Sequence, residues 1–466
     1  MDMRKISGYN IAKTRSYEVK TISIPSETIP VIAEADICVV GGSCTGVFAA
    51  VRAARLGAKV VIIEKQNRFG GVASSSLVNM WHSIYDTEYK EQIIGGLTFE
   101  VLERLSKRNA VAPFINSKEY GVPLNSEELT IELDELALEA NVQIHFHTFF
   151  SSVVMDEDKR VSAIIVQNKS GRAAIKAKMF VDASGDADLC RAAGLSAYLP
   201  EHIQPPTTCA KFVSWSFPED SAAYQLIMDH AEEFKLPEGF MWGTFTPPCK
   251  DIYMLNGTRV THKNPSDAKD LTYCEIEGRR QVRAVTDILR KHMKGKVPQL
   301  AALPSYIGIR ETWHINSLYQ VKADDLLYGR KFEDAIANGT YPVDIHHQEK
   351  PGITFKRLDG TQCYCRSGKP SEPGRWREES SEYPKYYQIP LRSLIPSNSK
   401  NVIAAGTMID TEKDAFGAVR VMVNLNQTGE AAGVAAYQAL SSGTDITLVN
   451  PQKVRKVLAD GGSCIQ

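Results

Sequence analysis

The sequence predicts an α/β fold, and three observations predict it. A strand, a glycine-rich turn, a helix and a second strand follow one another across residues 36–64. A second strand and glycine turn, leading into another helix, occupies 179–193. A late strand at 402–405 runs to Gly406 and then to a long helix of small residues at 421–440. In the first unit, 36–40 is a short apolar strand and Gly41-Gly42-Ser43-Cys44-Thr45-Gly46 is the turn. An Ala-rich helix covers 47–56, and the strand at 59–63 ends on Glu64.

That order makes a dinucleotide site. The first glycine permits the turn, and the last lets helix and strand pack closely. A pyrophosphate sits on the helix N-terminus, where free N–H groups and the dipole favour negative charge. The acid about 20 residues on, Glu64, is placed for a ribose hydroxyl. An acid there argues against a 2′-phosphate, and so against NADP. Ser43 stands where the pattern has glycine, with Gly42 beside it to supply the backbone freedom. Cys44 opens the helix and reads as a small packing residue under the cofactor. The run NRFGGVASSS at 67–76 brings a second glycine pair, suited to a loop whose backbone passes close to the cofactor. Gly41, Gly42, Ser43, Cys44, Thr45, Gly46, Glu64, Lys65, Gly70, Gly71, Val72, Ala73 and Ser74 are the cofactor-binding candidates from these two stretches.

Further elements follow in order. An extended segment is expected near 19–24. Residues 98–106 are an amphipathic helix, and 129–139 a second with Leu129, Leu133, Leu136 and Leu138 on its apolar side. Residues 142–150 read as one strand, followed by another at 152–155. Asn168-Lys169-Ser170-Gly171 is a hairpin turn between strands at 162–167 and 173–178. The strand at 179–183 meets Ser184-Gly185-Asp186 and then a helix at 187–193. Residues 200–300 carry prolines and aromatics, with helices at 222–234 and 275–294. Residues 325–385 are similar in character, and 366–377 is an exposed loop rich in Gly, Pro and charge.

Composition narrows the function classes. The 466 residues suffice for two or three domains. A net charge of −1 gives no electrostatic case for nucleic acid or an anionic membrane. No stretch approaches the roughly 20 apolar residues of a membrane span. The N-terminus lacks the apolar core of a signal peptide. The nine scattered cysteines form no disulfide framework and suit a reducing compartment. A cytoplasmic protein is expected. No metal is expected either: Cys363 and Cys365 are too close in sequence for the usual zinc spacing, and His346-His347 are adjacent.

Five ordered pieces carry a resemblance: EQIIGGLTFEVLER at 91–104, FVDASGDADLCRAAG at 180–194, IGIRETWHI at 307–315, YPVDIHH at 341–347, and the run at 403–436. With the Gly70-Gly71 loop, the chain resembles the FAD-dependent oxidoreductase family, which has a glutathione-reductase-like fold and is distantly similar to fumarate reductase flavoproteins. The resemblance implies a Rossmann-type FAD-binding domain with an inserted α+β substrate or cap domain. The FAD parts are expected at 33–199 and 388–447, the cap at 200–305 and 325–387, a return at 306–324, and terminal arms at 1–32 and 448–466. FAD is expected to be noncovalent, because the histidine that carries it in fumarate-reductase kin is missing from 65–69.

Phe150, Ser184, Gly185, Gly406, Arg420 and Val421 complete the cofactor candidates. The family resemblance places 416–420 beside the flavin ring, with the next helix aimed at its pyrimidine end. A helix N-terminus or a cation favours the negative charge that reduction places there. Arg420 is therefore a candidate for the flavin or for an anionic substrate. Arg310 and His314 share a face if Thr312 lies in a helix, pairing a carboxylate clamp with a proton carrier. His82, and from the cap His346 or His347, can also face the ring. The catalytic candidates are Arg310, His314, Arg420, His82 and His347. Lys413 stands where the family often has histidine.

The expected function is hydride transfer between a small organic substrate and flavin N5. No second dinucleotide domain or Cys-x-x-Cys pair is present to name the electron partner, and oligomeric state is left open. The alternatives are an NAD-dependent dehydrogenase built on the first unit and a flavin-binding protein without turnover.

Overall fold

The computed structural model describes residues 22, 23 and 25–466. Most of the extended segment expected near 19–24, and most of the arm at 1–32, lie outside the described residues. The fold is mixed α/β. At its centre is a five-stranded parallel sheet in the order Val402–Ala404, Met179–Asp182, Ile37–Val40, Val60–Ile63, Gln143–His145. Its inner strands are apolar except for Asp182, because both faces are covered. Ile37, Val39, Ile62 and Val181 face a helical layer. Cys38, Val40, Val61, Ile63 and Phe180 face the other side. There they meet a four-stranded sheet of Val31–Glu34, Gly171–Lys176, Val161–Asn168 and Phe149–Met155.

Two helices from opposite ends of the chain dominate the helical layer: the first, Cys44–Arg55, and the long one, Met422–Ser442. They touch backbone to backbone. A Cβ on Gly429 would lie 2.1 Å from the Thr45 carbonyl oxygen, and one on Gly433 2.2 Å from that of Ala49. Both contacts step by four residues in the same sense, so the helices run parallel. Beside them Arg52 and Glu430 form a buried ion pair, 6% and 1% exposed. Glu430 also accepts the Leu97 amide at 2.9 Å, at the start of the helix Gly96–Lys107.

A separate core of Phe212, Tyr253, Val285, Ile288 and Leu289 lies between helices Asp220–Asp229 and Ala268–His292 and an antiparallel sheet. That sheet runs Trp242–Phe245, Ile252–Asn256, Cys209–Val213, Gln299–Ala302. Another antiparallel sheet orders Val343–His346, Ile353–Lys356, Thr361–Cys365 and Glu372–Arg375. No helix among the described residues is long and apolar enough to cross a membrane.

Several expected elements differ. The strand expected at 142–150 is two strands in two different sheets, with His147 at φ 50° turning the chain between them. The helix expected from 275 starts at Ala268, where Asp267 accepts the Lys269 and Asp270 amides. The helix expected at 222–234 stops at Asp229, and a 3-10 turn covers Glu232–Phe234. Residues 366–377 are not wholly loop but include the exposed strand Glu372–Arg375. Thr312 is not helical, and His314–Ile315 is a short strand. The segment 448–466, read as an arm, forms the helix Pro451–Asp460 and sends Val454 and Leu458 into the main core. Leu326, Leu327, Ile336, Ala337 and Val343, expected in the cap, also belong to the main core.

Glu430→Ala strands the buried Arg52 guanidinium. It is expected to lower the unfolding free energy by about 3–5 kcal/mol in a denaturant titration. Glu430→Gln keeps an acceptor for the Leu97 amide and is expected to cost less.

Candidate functional site

The glycine turn sits where the central strands end. Gly41 has φ 107°, and a Cβ there would lie 2.2 Å from the Ala183 carbonyl oxygen. A Cβ on Gly46 would lie 1.9 Å from the Gly41 carbonyl oxygen. Both positions therefore admit only glycine, and together they hold the first helix against the sheet. Ser43 is the helix N-cap, its hydroxyl accepting the Gly46 amide at 3.4 Å. The space for its side chain comes from the second glycine pair. A Cβ on Gly71, itself at φ 55°, would lie 2.9 Å from Ser43 Cβ. The Gly70 amide donates to the Gly42 carbonyl at 2.9 Å, so the two loops are joined. Glu64 accepts the Gly42 amide at 2.6 Å and the Gln66 amide at 2.7 Å, with lone pairs left over on both oxygens. Burial raises its pKa against those hydrogen bonds. Cys44 is inert: burial pushes its thiol up to about 12, and Sγ points at the Gly70 carbonyl.

These loops line one large cavity of about 890 Å³, near the top of the range of roughly 300–1,000 Å³ for cofactor and small-molecule sites. Ser184, Gly185, Gly406, Phe150, Lys65 and Val72 line it too. Buried Asp182 shapes the second turn by accepting the Ser184 amide at 3.1 Å, its hydroxyl at 2.7 Å and the Cys190 amide at 2.9 Å. The long helix starts further along the same cavity. Gly429 lies over Thr45, and the helix begins at Met422, seven residues earlier, so its N-terminus overhangs the first by about 10 Å at 1.5 Å per residue. Arg420, Val421 and Asn426 line that end. The Asn426 amide is buried, and neither its donor nor its acceptor has a partner among the described residues. The residues fit FAD. The glycine cradle and the first helix N-terminus suit the pyrophosphate, and an unpaired amide beside the second N-terminus suits a ring edge with both donors and acceptors.

Beyond that end lies a cluster of charges. Asp344 is its hub, 3% exposed. Asp344 Oδ2 accepts from Arg420 at 2.6 Å and from the Tyr341 hydroxyl at 2.9 Å. Asp344 Oδ1 lies 3.4 Å from His346 Nε2. Burial works to raise the Asp344 pKa, but His346 and Arg420 outweigh it and hold the carboxyl well below its usual range. His346 is lowered to about 4, by burial first, against the pull of Asp344. His82 packs edge-on to Tyr341 with centroids 4.2 Å apart and is lowered to about 3, by burial and then by Arg420. Arg310 donates to the Thr207 hydroxyl at 2.6 Å, and burial followed by Arg420 lowers it to about 10, which leaves it charged at neutral pH. His82 Nδ1 and Arg420 Nε have no partner among the described residues.

Arg310, Arg420 and His82 thus share one cavity with most of the cofactor candidates. Gly42, Gly46, Ala73 and Ser74 support the loops without lining it; Ser74 Oγ donates to the Phe69 carbonyl. His314 does not face the cavity. Its Nδ1 lies 2.7 Å from the Ile409 carbonyl oxygen, its Nε2 lies 3.2 Å from Glu311, and its ring stacks on Tyr198. His347 does not face it either, and pairs with Thr354 at 2.8 Å. The adjacent His346, the last residue of the strand Val343–His346, lines the cavity instead. Asp344, Tyr341 and Asn426 were missed. The signal for Asp344 was present in YPVDIHH, where strand alternation puts Asp344 and His346 on one face. Among the described residues one group with metal-ligand chemistry, His230, Glu233 and His292, lies elsewhere, with Lys291 paired to the same carboxylate.

The sequence profile of the FAD dependent oxidoreductase family matches residues 36–458, and the protein belongs to that family. Its cofactor is FAD and it is an FAD-dependent oxidoreductase, which sets aside the NAD-dependent and non-catalytic alternatives. No curated protein matches in sequence. Among solved structures, a geranylgeranyl bacteriochlorophyll reductase-like protein from Thermoplasma acidophilum is similar at 14% identity, over 92% of this chain and 83% of that one, with a TM-score of 0.47. p-Nitrophenol 4-monooxygenase from Pseudomonas putida is similar at 13% identity, over 92% and 84%, with a TM-score of 0.44. A myxobacterial chondrochloren halogenase is similar at 10% identity, over 92% and 80%, with a TM-score of 0.45.

Gly41→Ala is expected to lower both the thermal stability and the bound flavin, read from a melt and from the ratio of visible to ultraviolet absorbance. Lowering the pH is expected to destabilise the fold between about 6.5 and 4. In that window the unfolded chain protonates His82 and His346 while the folded one keeps them neutral. Asp344, with a depressed pKa, adds to the loss only below its ordinary 3.8. A His82→Asn/His346→Asn variant is expected to flatten the slope in a thermal melt series.

Proposed function

We propose that the protein oxidises or reduces a small organic anion at noncovalently held FAD, within a glutathione-reductase-like architecture. The supporting observation is the wall of buried charge at the far end of the cavity. Two guanidiniums, Arg310 and Arg420, face a single carboxylate, Asp344, while both histidines are kept neutral by burial. That wall carries excess positive charge out of bulk water, where an anion gains most from it.

When bound, FAD supplies two-electron chemistry, accepting or donating a hydride at N5. The chain's own residues do the rest. Ser43, Cys44 and Thr45 would hold the pyrophosphate at the first helix N-terminus, and Glu64 the ribose hydroxyls. Gly70, Gly71, Gly406, Val421 and Asn426 would border the ring. The N-terminus of the long helix favours negative charge at the pyrimidine edge. Arg310 and Arg420 would orient a substrate carboxylate through charge-assisted hydrogen bonds. Asp344 keeps Arg420 in place. His82 and His346, unprotonated at neutral pH, are the groups available to take or return the substrate proton. The sheet body with its own core around Phe212 and Tyr253 would cap the site, and residues 33–199 and 388–447 would carry the FAD.

The test is anaerobic mixing of the holoprotein with a panel of small hydroxy, amino and unsaturated acids and their neutral esters or amides, while following the visible flavin band. Bleaching, or reoxidation of reduced flavin, by an acid and not by its neutral counterpart is expected. A response to the neutral compounds alone would overturn the reading. Arg310→Lys and Arg420→Lys are each expected to raise KM about 10- to 150-fold, as loss of a charged hydrogen bond worth about 1.5–3 kcal/mol predicts.

A further inference from the structure

Seven of the nine cysteines have no second sulfur in contact, and five of those are buried. Cys363 and Cys365 are different. They are half-buried, and their Sγ atoms lie 3.2 Å apart on the strand Thr361–Cys365. Residues two apart on a strand share a face. The cross-strand register extends that face. Cys363 pairs with Phe355, and Phe355 with Asp344; Cys365 pairs with Ile353, and Ile353 with His346. Each thiol therefore lies on a cross-strand row that begins at a residue of the charge cluster, two strands away. At roughly 4.8 Å per strand the separation is about 10 Å. Phe355, midway along one row, lines the cavity itself.

A bond between these sulfurs is feasible but reducible. Two strand steps of about 3.3–3.4 Å put the Cα atoms near the upper limit of about 6.8 Å at which a disulfide closes. Bonds closed at such a limit, and open to solvent, are the labile ones. The Ser371 hydroxyl lies 3.5 Å from Cys365 Sγ and lowers the thiol's pKa, although burial, the larger influence, leaves it raised.

We propose that Cys363 and Cys365 form a reversible dithiol–disulfide couple, a second two-electron centre beside the flavin cavity, whose co-reactant is a low-molecular-weight disulfide. The Cys365 thiolate attacks one sulfur of the small disulfide, forming a mixed disulfide and releasing one small thiolate. Cys363 then attacks the Cys365 sulfur, the protein S–S bond forms, and the second small thiolate leaves. The two protein thiols lose two electrons and two protons, and the small disulfide is reduced to two thiols. Excess small thiol reverses both steps. Because the Cys365 thiol is raised, the exchange accelerates with pH. This couple does not depend on what the cavity takes as substrate.

The test equilibrates the holoprotein in buffers of reduced and oxidised glutathione at graded ratios, followed by acid quench, alkylation and tryptic digestion. Both thiols fall in one peptide, residues 358–366. That peptide is expected to appear two hydrogens lighter and unalkylated in the oxidised buffers, and to return to the doubly alkylated form in the reduced ones. Two thiols that stay alkylatable in the most oxidising buffer would overturn the proposal, as would separate glutathione adducts on each with no bond between them.

Discussion

The contact of Gly429 and Gly433 with the backbone of Thr45 and Ala49 is the constraint on which the rest of the architecture depends. It brings the start and the end of the chain side by side with no side chain between them. Parallel helices in that register present two N-termini to the same cavity, offset by about 10 Å. One serves the glycine turn and the other carries Arg420 and Val421. The buried Arg52–Glu430 pair lies one turn away and fixes the same register through charge, drawing the Leu97 amide and the next helix with it. A cavity shaped by residues nearly 400 positions apart thus rests on two missing Cβ atoms and one ion pair.

At the far end of the cavity the decisive physics is desolvation. Burial works against the charge on Asp344, and the Arg420 guanidinium with the Tyr341 hydroxyl keeps it ionised. The same burial removes charge from His82 and His346. The result is a wall where guanidiniums stay charged while imidazoles do not, which separates anion binding from proton handling. Asp344 also anchors one row of the antiparallel sheet whose third strand holds Cys363 and Cys365, so the charge cluster and the thiol pair share one rigid surface.

Much of the cofactor end was legible in the sequence because its requirements are local. A turn that needs φ 107° at Gly41, and a helix that must approach within contact at Gly46, leave glycines at fixed spacing. Ser43 looked like a departure from the pattern. The compensation, room made by Gly71, lies in another loop and shows only in three dimensions. The substrate end was less legible. His314 and His347 sit in motifs as suggestive as those of His82 and His346, yet one packs against Tyr198 and the other, just past its strand, pairs with Thr354. Asp344 shares a short motif with Tyr341 and His346, but its ion-pair partner, Arg420, comes from 76 residues away and shows only in the fold.

By itself the sequence determined the strand–turn–helix units, the hairpin at 168–171 and the glycines of the cradle, because each follows from backbone sterics or from periodicity within a few residues. It also carried the family, through short motifs in a fixed order. Only the tertiary structure decided that 142–150 divides between two sheets, that the C-terminal segment returns as a packed helix, and which side chains line the cavity. Those outcomes depend on which surfaces are available to bury apolar area and to pair buried charge, and such surfaces exist only once distant segments have met.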